Sequence, residues 1–321
     1  MRTNNKKNKK KVCILAGICS AQGLELRRNA VRETWLKRRQ AGIECLFFLG
    51  GEVAAHERHD TVGLDAPDTY HELPAKVLAF YRYGLEHYDF DWIYKCDDDT
   101  YVDLARLAGL VNAQYGMIGD LLLGERQAPS GGAGYLLSRE VVETIAARQD
   151  VPLSGPEDII FGRLARETGA PYLVTPRLFM ANTRYPAPDN DQVSAHWCTP
   201  EVLRAMDVLR HGTPAAVYCA THPHWDDSLL FYREGVLRRA GTPDYGWWEL
   251  NGDTLTLRWK QWDPVELEWK GDAFHGPRIT LTRAARSRSL WELTPPDDGA
   301  PEQGTGITDV TARPGKDKKR P

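Results

Sequence analysis

The residues best suited to chemistry are three consecutive carboxylates, Asp97, Asp98 and Asp99. They lie between the apolar Trp92-Ile93-Tyr94 and the segment Thr100-Tyr101-Val102. Adjacent carboxylates repel one another, so packing them costs stability unless a cation or hydrogen-bond donors offset the charge. Hard oxygen ligands of this kind suit a divalent cation that keeps open positions for phosphate oxygens. Spacing removes two other acidic-cluster chemistries. A calcium loop of the EF-hand type needs glycine at its sixth position and glutamate at its twelfth, where counting from Asp97 finds Val102 and Ala108. A phosphatase nucleophile of the Asp-x-Asp-x-Thr/Val kind needs Thr or Val where Tyr101 stands. A solvated acidic turn is the remaining alternative.

The elements around this cluster follow from periodicity. Val12–Ile18, Ile43–Leu49 and Trp92–Cys96 are continuous apolar runs, as expected of strands buried on both faces. Between them, Leu26–Arg39 carries helical spacing, and Pro74 can open a second helix because it has no amide hydrogen to lose there. Leu104–Val111 and Glu140–Arg148 read as helices, and Leu121–Leu123 as a strand. Alternating strands and helices indicate an α/β layered domain. Ligands of such sheets collect beyond the carboxyl ends of the strands, which is where the three aspartates fall. After about Leu209 the texture changes. Asn251-Gly252 is a strong hairpin signal, followed by alternation at Leu255, Leu257 and Trp259 and again at Leu267, Trp269, Ile279 and Leu281. A small antiparallel meander is expected there.

Length and composition bound the rest. The 321 residues suffice for one large domain plus a small accessory piece. A formal net charge of -3 gives no sign of a nucleic-acid partner. Basic residues crowd both ends, from Arg2 to Lys11 and from Lys316 to Arg320, and read as solvated tails with weak contact to anionic lipid headgroups as the alternative. The apolar run after the first of these is too short for a bilayer span and lacks a convincing cleavage site, so a buried strand explains it better. Six scattered cysteines, with no CxxC pair, argue for reduced thiols and a cytosolic location. The expected organisation is a basic disordered tail over 1–11, a catalytic-type domain over 12–212, a linker and β module over 213–285, and a disordered tail over 286–321.

Six segments, in order, sharpen this reading: Arg28-Asn29-Ala30-Val31-Arg32-Glu33-Thr34-Trp35; Phe47-Phe48-Leu49-Gly50; Asp68-Thr69-Tyr70 with Leu73 and Lys76; Tyr94 to Val102; Gly131 to Ser138; and Glu157-Asp158-Ile159-Ile160-Phe161-Gly162. With them the chain resembles glycosyltransferase family 31, the β-1,3-galactosyltransferase and fringe-like enzymes, from the first strand to about Met206. The resemblance implies a GT-A type nucleotide-sugar-binding domain with a mostly parallel central sheet, followed here by the small C-terminal antiparallel β module. It implies an inverting, manganese-dependent (or magnesium-dependent) transfer of a hexose or N-acetylhexosamine from a UDP-sugar to an oligosaccharide or glycolipid acceptor, with β-1,3 linkage. Asp99 and His196 would bind the metal, with Asp97 as a further ligand or in the outer shell. Asp97 and Asp98 would hold the donor, helped by Asp68, Lys76 and the close backbone approach allowed at Gly132 and Gly134.

Arg28 and Arg32, four residues apart on one helix face, suit nucleotide phosphates, with a solvated face as the competing reading. Inversion requires a carboxylate to take the acceptor proton. Asp158 is the candidate base and Glu157 the runner-up, although both also suit the first turn of a helix as simple capping charges. The run Thr221-His222-Pro223-His224-Trp225-Asp226-Asp227 is a second potential metal constellation without a family match. Animal members of the family carry a membrane anchor and lumenal cysteine pairs, and neither pattern is evident here. These departures point to a soluble bacterial or viral-type enzyme, cytoplasmic and at most peripheral at the membrane. A non-catalytic glycan-binding protein, working through its Trp-rich C-terminal module, is the alternative from another class.

Overall fold

The computed structural model describes residues 9–53, 57–120, 128–182 and 190–293. In chain order the first part comprises β1 (Lys10–Cys19), α1 (Glu25–Glu33), β2 (Ile43–Gly50), β3 (Thr61–Leu64), α2 (Leu73–His87), β4 (Tyr88–Asp97), β5 (Tyr101–Val102) and α3 (Leu104–Ala108). It continues through β6 (Met117–Gly119), β7 (Tyr135–Ser138), α4 (Arg139–Ala147), α5 (Glu157–Glu167), β8 (Tyr172–Val174), β9 (Leu178–Phe179), β10 (Ser194–Ala195) and α6 (Pro200–His211). Seven strands form the central sheet in the order β3-β2-β1-β4-β7-β6-β8. Only β7 runs against its neighbours β4 and β6, so the sheet is mostly parallel, as expected.

Side chains of these strands alternate between two cores. Ile14, Ala16, Ile18, Trp92, Tyr94 and Cys96 face α1 and α6, while Leu15, Phe48 and Ile93 face α2, α4 and α5. The apolar runs are continuous because both faces are covered. The helix expected over Leu26–Arg39 breaks at Thr34 into α1 and a 3-10 turn over Trp35–Lys37. The Thr34 hydroxyl donates to the Ala30 carbonyl at 2.7 Å, a back-bond that competes with the helix. Trp35 is thereby turned inward, and its indole N–H donates to the Thr100 carbonyl at 2.9 Å. The helix expected over Leu104–Val111 stops at Ala108, before Gly109. The strand expected at Leu121–Leu123 lies outside the described residues.

The C-terminal part is antiparallel, as expected, but it is more than a meander. Strands β11 (Ala216–His222), β12 (Trp225–Phe231), β13 (Val236–Arg239), β14 (Tyr245–Asn251), β15 (Thr254–Trp259), β16 (Val265–Trp269), β17 (Ala273–His275) and β18 (Thr280–Arg283) form a closed eight-stranded barrel. Pairing of β11 with β18, for example Cys219 opposite Thr282, closes it and removes both sheet edges. Leu229, Phe231, Leu255, Leu257, Leu267 and Leu281 fill its interior. Tyr232, Val236 and Tyr245, from the β13–β14 side, join the core beneath α1 and α6 and seat the barrel on the sheet domain.

One boundary needs correction. Leu290 and Leu293, expected within a disordered tail, are buried in the barrel core, and a capping box at Ser289 and Glu292 holds their short turn. Trp291 donates to the Gly252 carbonyl at 3.1 Å, so the turn covers the barrel end that carries the Asn251-Gly252 hairpin. Leu290→Ala should lower unfolding free energy by about 2–5 kcal/mol in urea titration. A loss within the measurement error would show that the turn is not part of the barrel core.

Candidate active site

Register brings the site together. Cys19 at the end of β1 lies opposite Asp97 at the end of β4, and the Asp98 amide donates to the Cys19 carbonyl at 3.0 Å. The three aspartates therefore turn away from the sheet at the carboxyl ends of its two central strands. A second, three-stranded sheet, β5-β10-β9, supplies the opposite wall. Ala195 pairs with Tyr101, which sets His196 beside Asp99 although they are far apart in sequence.

Ligating atoms of Asp97, Asp99 and His196 lie within 4.8 Å of one another. Asp99 Oδ1 is buried and has no hydrogen-bond partner. His196 Nδ1 lies 3.1 Å from that oxygen and 3.0 Å from Thr100 Oγ1. The Thr100 hydroxyl lies 2.8 Å from the Gly132 carbonyl, which also accepts from the Asp97 amide at 3.2 Å. Nδ1 is the ring nitrogen that faces Asp99. An unpaired buried carboxylate oxygen and an oriented imidazole fit a divalent cation well.

The aspartates differ in environment. Burial works against the charge of Asp97, but Lys95 and then His196 outweigh it and hold its carboxyl below the usual range. Asp98 is pushed up to about 6 by burial, reinforced by Asp99 and Asp97, although the Ser20 hydroxyl donates to it at 2.7 Å. Arg27 reaches both Asp98 and Asp99 at 3.3 Å and is well exposed.

Lys95 is wholly buried within β4. Its ammonium donates to Asp97 at 2.8 Å, to the Gly131 carbonyl at 3.0 Å and to Glu157 at 3.1 Å. Glu157 also accepts from Tyr135, whose hydroxyl lies 2.8 Å from that of Tyr81. Burial raises the Glu157 carboxyl despite Lys95. Both of its oxygens are engaged, which disfavours it as a base. Asp158 is different. One oxygen accepts from the Ile159 amide at 2.8 Å, and the other has only the Gly131 amide at 3.5 Å. It is half-buried at the start of α5 and separated from the aspartate run by the glycine loop.

The glycines are required by contact. A Cβ on Gly132 would lie 2.1 Å from His196 Nε2. Gly134 has φ +101, and a Cβ there would lie 2.3 Å from the Tyr94 hydroxyl. Trp197, next to His196, has φ 61, an uncommon conformation for a bulky residue, and is largely exposed.

Several expected donor residues are used differently. Arg28 and Arg32 share one helix face, but that face is buried. Arg28 pairs with Glu57, and Arg32 pairs with Glu57 at 3.1 Å and with Asp60 at 2.7 Å. Their charges are paired inside the fold, so the expected role at nucleotide phosphates would require these pairs to open; Arg28 also donates at 3.0 Å to the Ser20 hydroxyl, which in turn donates to Asp98. Arg27, one residue earlier and about 100° round the helix, reaches the aspartates. Asp68 accepts from the Gln22 amide at 2.8 Å, the Gly50 amide at 3.0 Å and Lys76 at 2.8 Å. Lys76 also donates to the Ser20 carbonyl at 2.7 Å. This pair ties the loops after β1 and β2 into a rim and offers no loose charge. Lys95 was readable in principle, since a lysine inside an apolar strand signals a buried partner. His222 and His224 lie on the barrel, and among the described residues no metal-type cluster includes them.

Residues 26–120 match the family model described as Galactosyltransferase. The chain is galactosyltransferase-like. It is 29% identical over 120 residues to β-1,3-galactosyltransferase 7 of Arabidopsis thaliana, covering 31% of this chain and 30% of that one. It is 47% identical over 53 residues to the UDP-GalNAc:β-1,3-N-acetylgalactosaminyltransferase 2 of Mus musculus, covering 16% of this chain and 10% of the relative. The chain thus spans less than a third of the length of these two curated relatives. Among solved structures it is similar to a glycosyltransferase involved in glycosylation of the major capsid of PBCV-1, at 14% identity and TM-score 0.40, covering 61% of this chain and 99% of that one.

Replacing Lys95 by Met would leave Asp97 and Glu157 buried without their shared counter-charge. Stability should fall by about 3–5 kcal/mol, read from urea unfolding. A variant as stable as the parent would show that the ammonium does not hold the two carboxylates.

Proposed function

We propose that the chain is an inverting glycosyltransferase that moves a hexose or N-acetylhexosamine from a UDP-sugar to a glycan hydroxyl, forming a β-1,3 linkage with a divalent cation, manganese or magnesium. The observation that carries this reading is the convergence of Asp97, Asp99 and His196 at the end of β4, with Asp158 across the glycine loop. The names of the two curated relatives support the linkage, and that of the mouse protein supports a UDP-linked donor.

Asp99, His196 and Asp97 would hold the cation, which when bound offsets the charge of the departing diphosphate. Arg27, exposed beside Asp98 and Asp99, is placed to meet a phosphate group, a role the buried Arg28 and Arg32 cannot take without breaking ion pairs. Asp98 and the rim made by Asp68 and Lys76 would shape the nucleoside side. In a single displacement the acceptor oxygen bonds to the anomeric carbon while the bond to the diphosphate oxygen breaks and its electron pair leaves with UDP. The acceptor proton goes to the loosely held oxygen of Asp158.

Asp158→Asn should reduce UDP release to acceptor by about 10²–10⁴-fold while leaving donor binding intact. Asp99→Ala should abolish the manganese-stimulated part of the same reaction. The reading is wrong if no UDP-sugar turns over with manganese, or if Asp99→Ala is as active as the parent. A protein that only binds glycans would be indifferent to both substitutions.

A further inference from the structure

The barrel has two unlike ends. One carries the Asn251-Gly252 hairpin and is covered by the turn containing Leu290. At the other end lie the four connections β11–β12, β13–β14, β15–β16 and β17–β18, because antiparallel neighbours alternate in direction. A cavity of about 850 Å³ opens there, with lining residues drawn from all four connections or the strand ends beside them. This volume is within the ~300–1,000 Å³ typical of ligand pockets, and barrel mouths are common places for them.

Three tryptophans shape the cavity: Trp225, Trp259 and Trp262. Trp225 is fixed in place. The His222 ring stacks on it at 5.0 Å between centroids, and the Arg239 guanidinium lies 3.9 Å from its centre. Trp262, by contrast, is 62% exposed in the β15–β16 connection. A large aromatic surface left open beside a rigid aromatic wall loses little conformational freedom when a ligand covers it.

Charge narrows the ligand class. Arg239 is already paired with Asp227 at 3.0 Å and with Asp244 at 3.3 Å. Of the remaining lining residues, Arg278 stands against Asp263 and Glu266, so the formal charge leans slightly negative. That is unfavourable for a phosphate or a polyanion. Open indole surface together with carboxylate acceptors suits a neutral sugar ring, whose C–H face meets the electron-rich ring and whose hydroxyls donate to the carboxylates.

The barrel end that carries the mouth is linked to the candidate active site by hydrogen bonds. Tyr245, which opens β14 at this end, donates to the Asn182 carbonyl at 2.9 Å, and the Asn182 amide donates to the Trp197 carbonyl next to His196. We propose that the barrel mouth is a carbohydrate-binding site for a neutral oligosaccharide, holding sugar units of an acceptor away from its reacting hydroxyl. The acceptor role rests on the transferase reading, whereas binding of the oligosaccharide does not.

The test is titration of the full chain with lacto-N-tetraose, cellotetraose and chitotetraose, followed by tryptophan fluorescence and calorimetry. Saturable binding of at least one is expected, weakened about tenfold or more in Trp262→Ala and unchanged in Asp99→Ala. Trp262 is exposed, so its removal should leave the melting temperature unchanged. Absence of binding, equal binding by Trp262→Ala, or binding of only inorganic phosphate or an alkyl detergent would overturn the proposal. If tetrasaccharides bind through Trp262 but no UDP-sugar turns over, the transferase reading fails and the binding site stands. Turnover without tetrasaccharide binding gives the reverse.

Discussion

The ammonium of Lys95 is removed from water in the middle of a mostly parallel sheet, where an uncompensated charge would cost several kcal/mol. It is tolerated because two carboxylates and a carbonyl surround it. Those three partners come from the aspartate run, the glycine loop and the first turn of α5, which are three of the walls of the site; the histidine wall is the fourth. Satisfying one buried cation therefore fixes where these three sit relative to one another. Asp158 follows Glu157 directly, so its position depends on a bond that it does not itself make. The hydroxyls of Tyr135 and Tyr81 extend the same network into the apolar core. Networks of this kind tolerate no missing member, because each remaining group would be left buried and unpaired.

Steric exclusion supplies the complementary constraint. The loop before β7 must pass close enough for Gly132 to touch the His196 ring, and Thr100 sits between them, 2.8 Å from the Gly132 carbonyl and 3.0 Å from His196 Nδ1. Any side chain at position 132 would push the histidine off the aspartates. Glycine is thus required there by the width of the site, while at Gly134 the positive φ is an added reason.

Much of this was legible in the sequence where the signal is local. The apolar runs at β1, β2 and β4 mark strands covered on both faces, and the aspartates following β4 fall at the carboxyl end of a sheet by the ordinary logic of α/β folds. The resemblance located His196 and Asp158, which spacing alone does not connect to Asp99. The arginines show where local reasoning stops. Helical spacing correctly puts Arg28 and Arg32 on one face, but it cannot say whether that face looks toward the site or toward Glu57 and Asp60. Barrel closure was illegible for a related reason. Alternation identifies a strand, whereas the pairing of Cys219 with Thr282 is a contact between chain segments that no local pattern encodes.

The way the two parts of the chain join bears on what the site can do. Tyr232, Val236 and Tyr245 contribute side chains to the core under α1 and α6, so the barrel shares a core with the sheet domain. Tyr245 also sends its hydroxyl to Asn182, in the segment that leads to Trp197. The histidine wall is therefore braced from both sides: from the sheet domain through Thr100 and Gly132, and from the barrel through Tyr245 and Asn182. Trp197 is held between these supports in a left-handed conformation, which persists only where the surroundings over-determine it. A barrel acting only as an appended binding module would have no need of these contacts. Its shared core and its hydroxyl bond to Asn182 make it part of the structure that sets the geometry around His196.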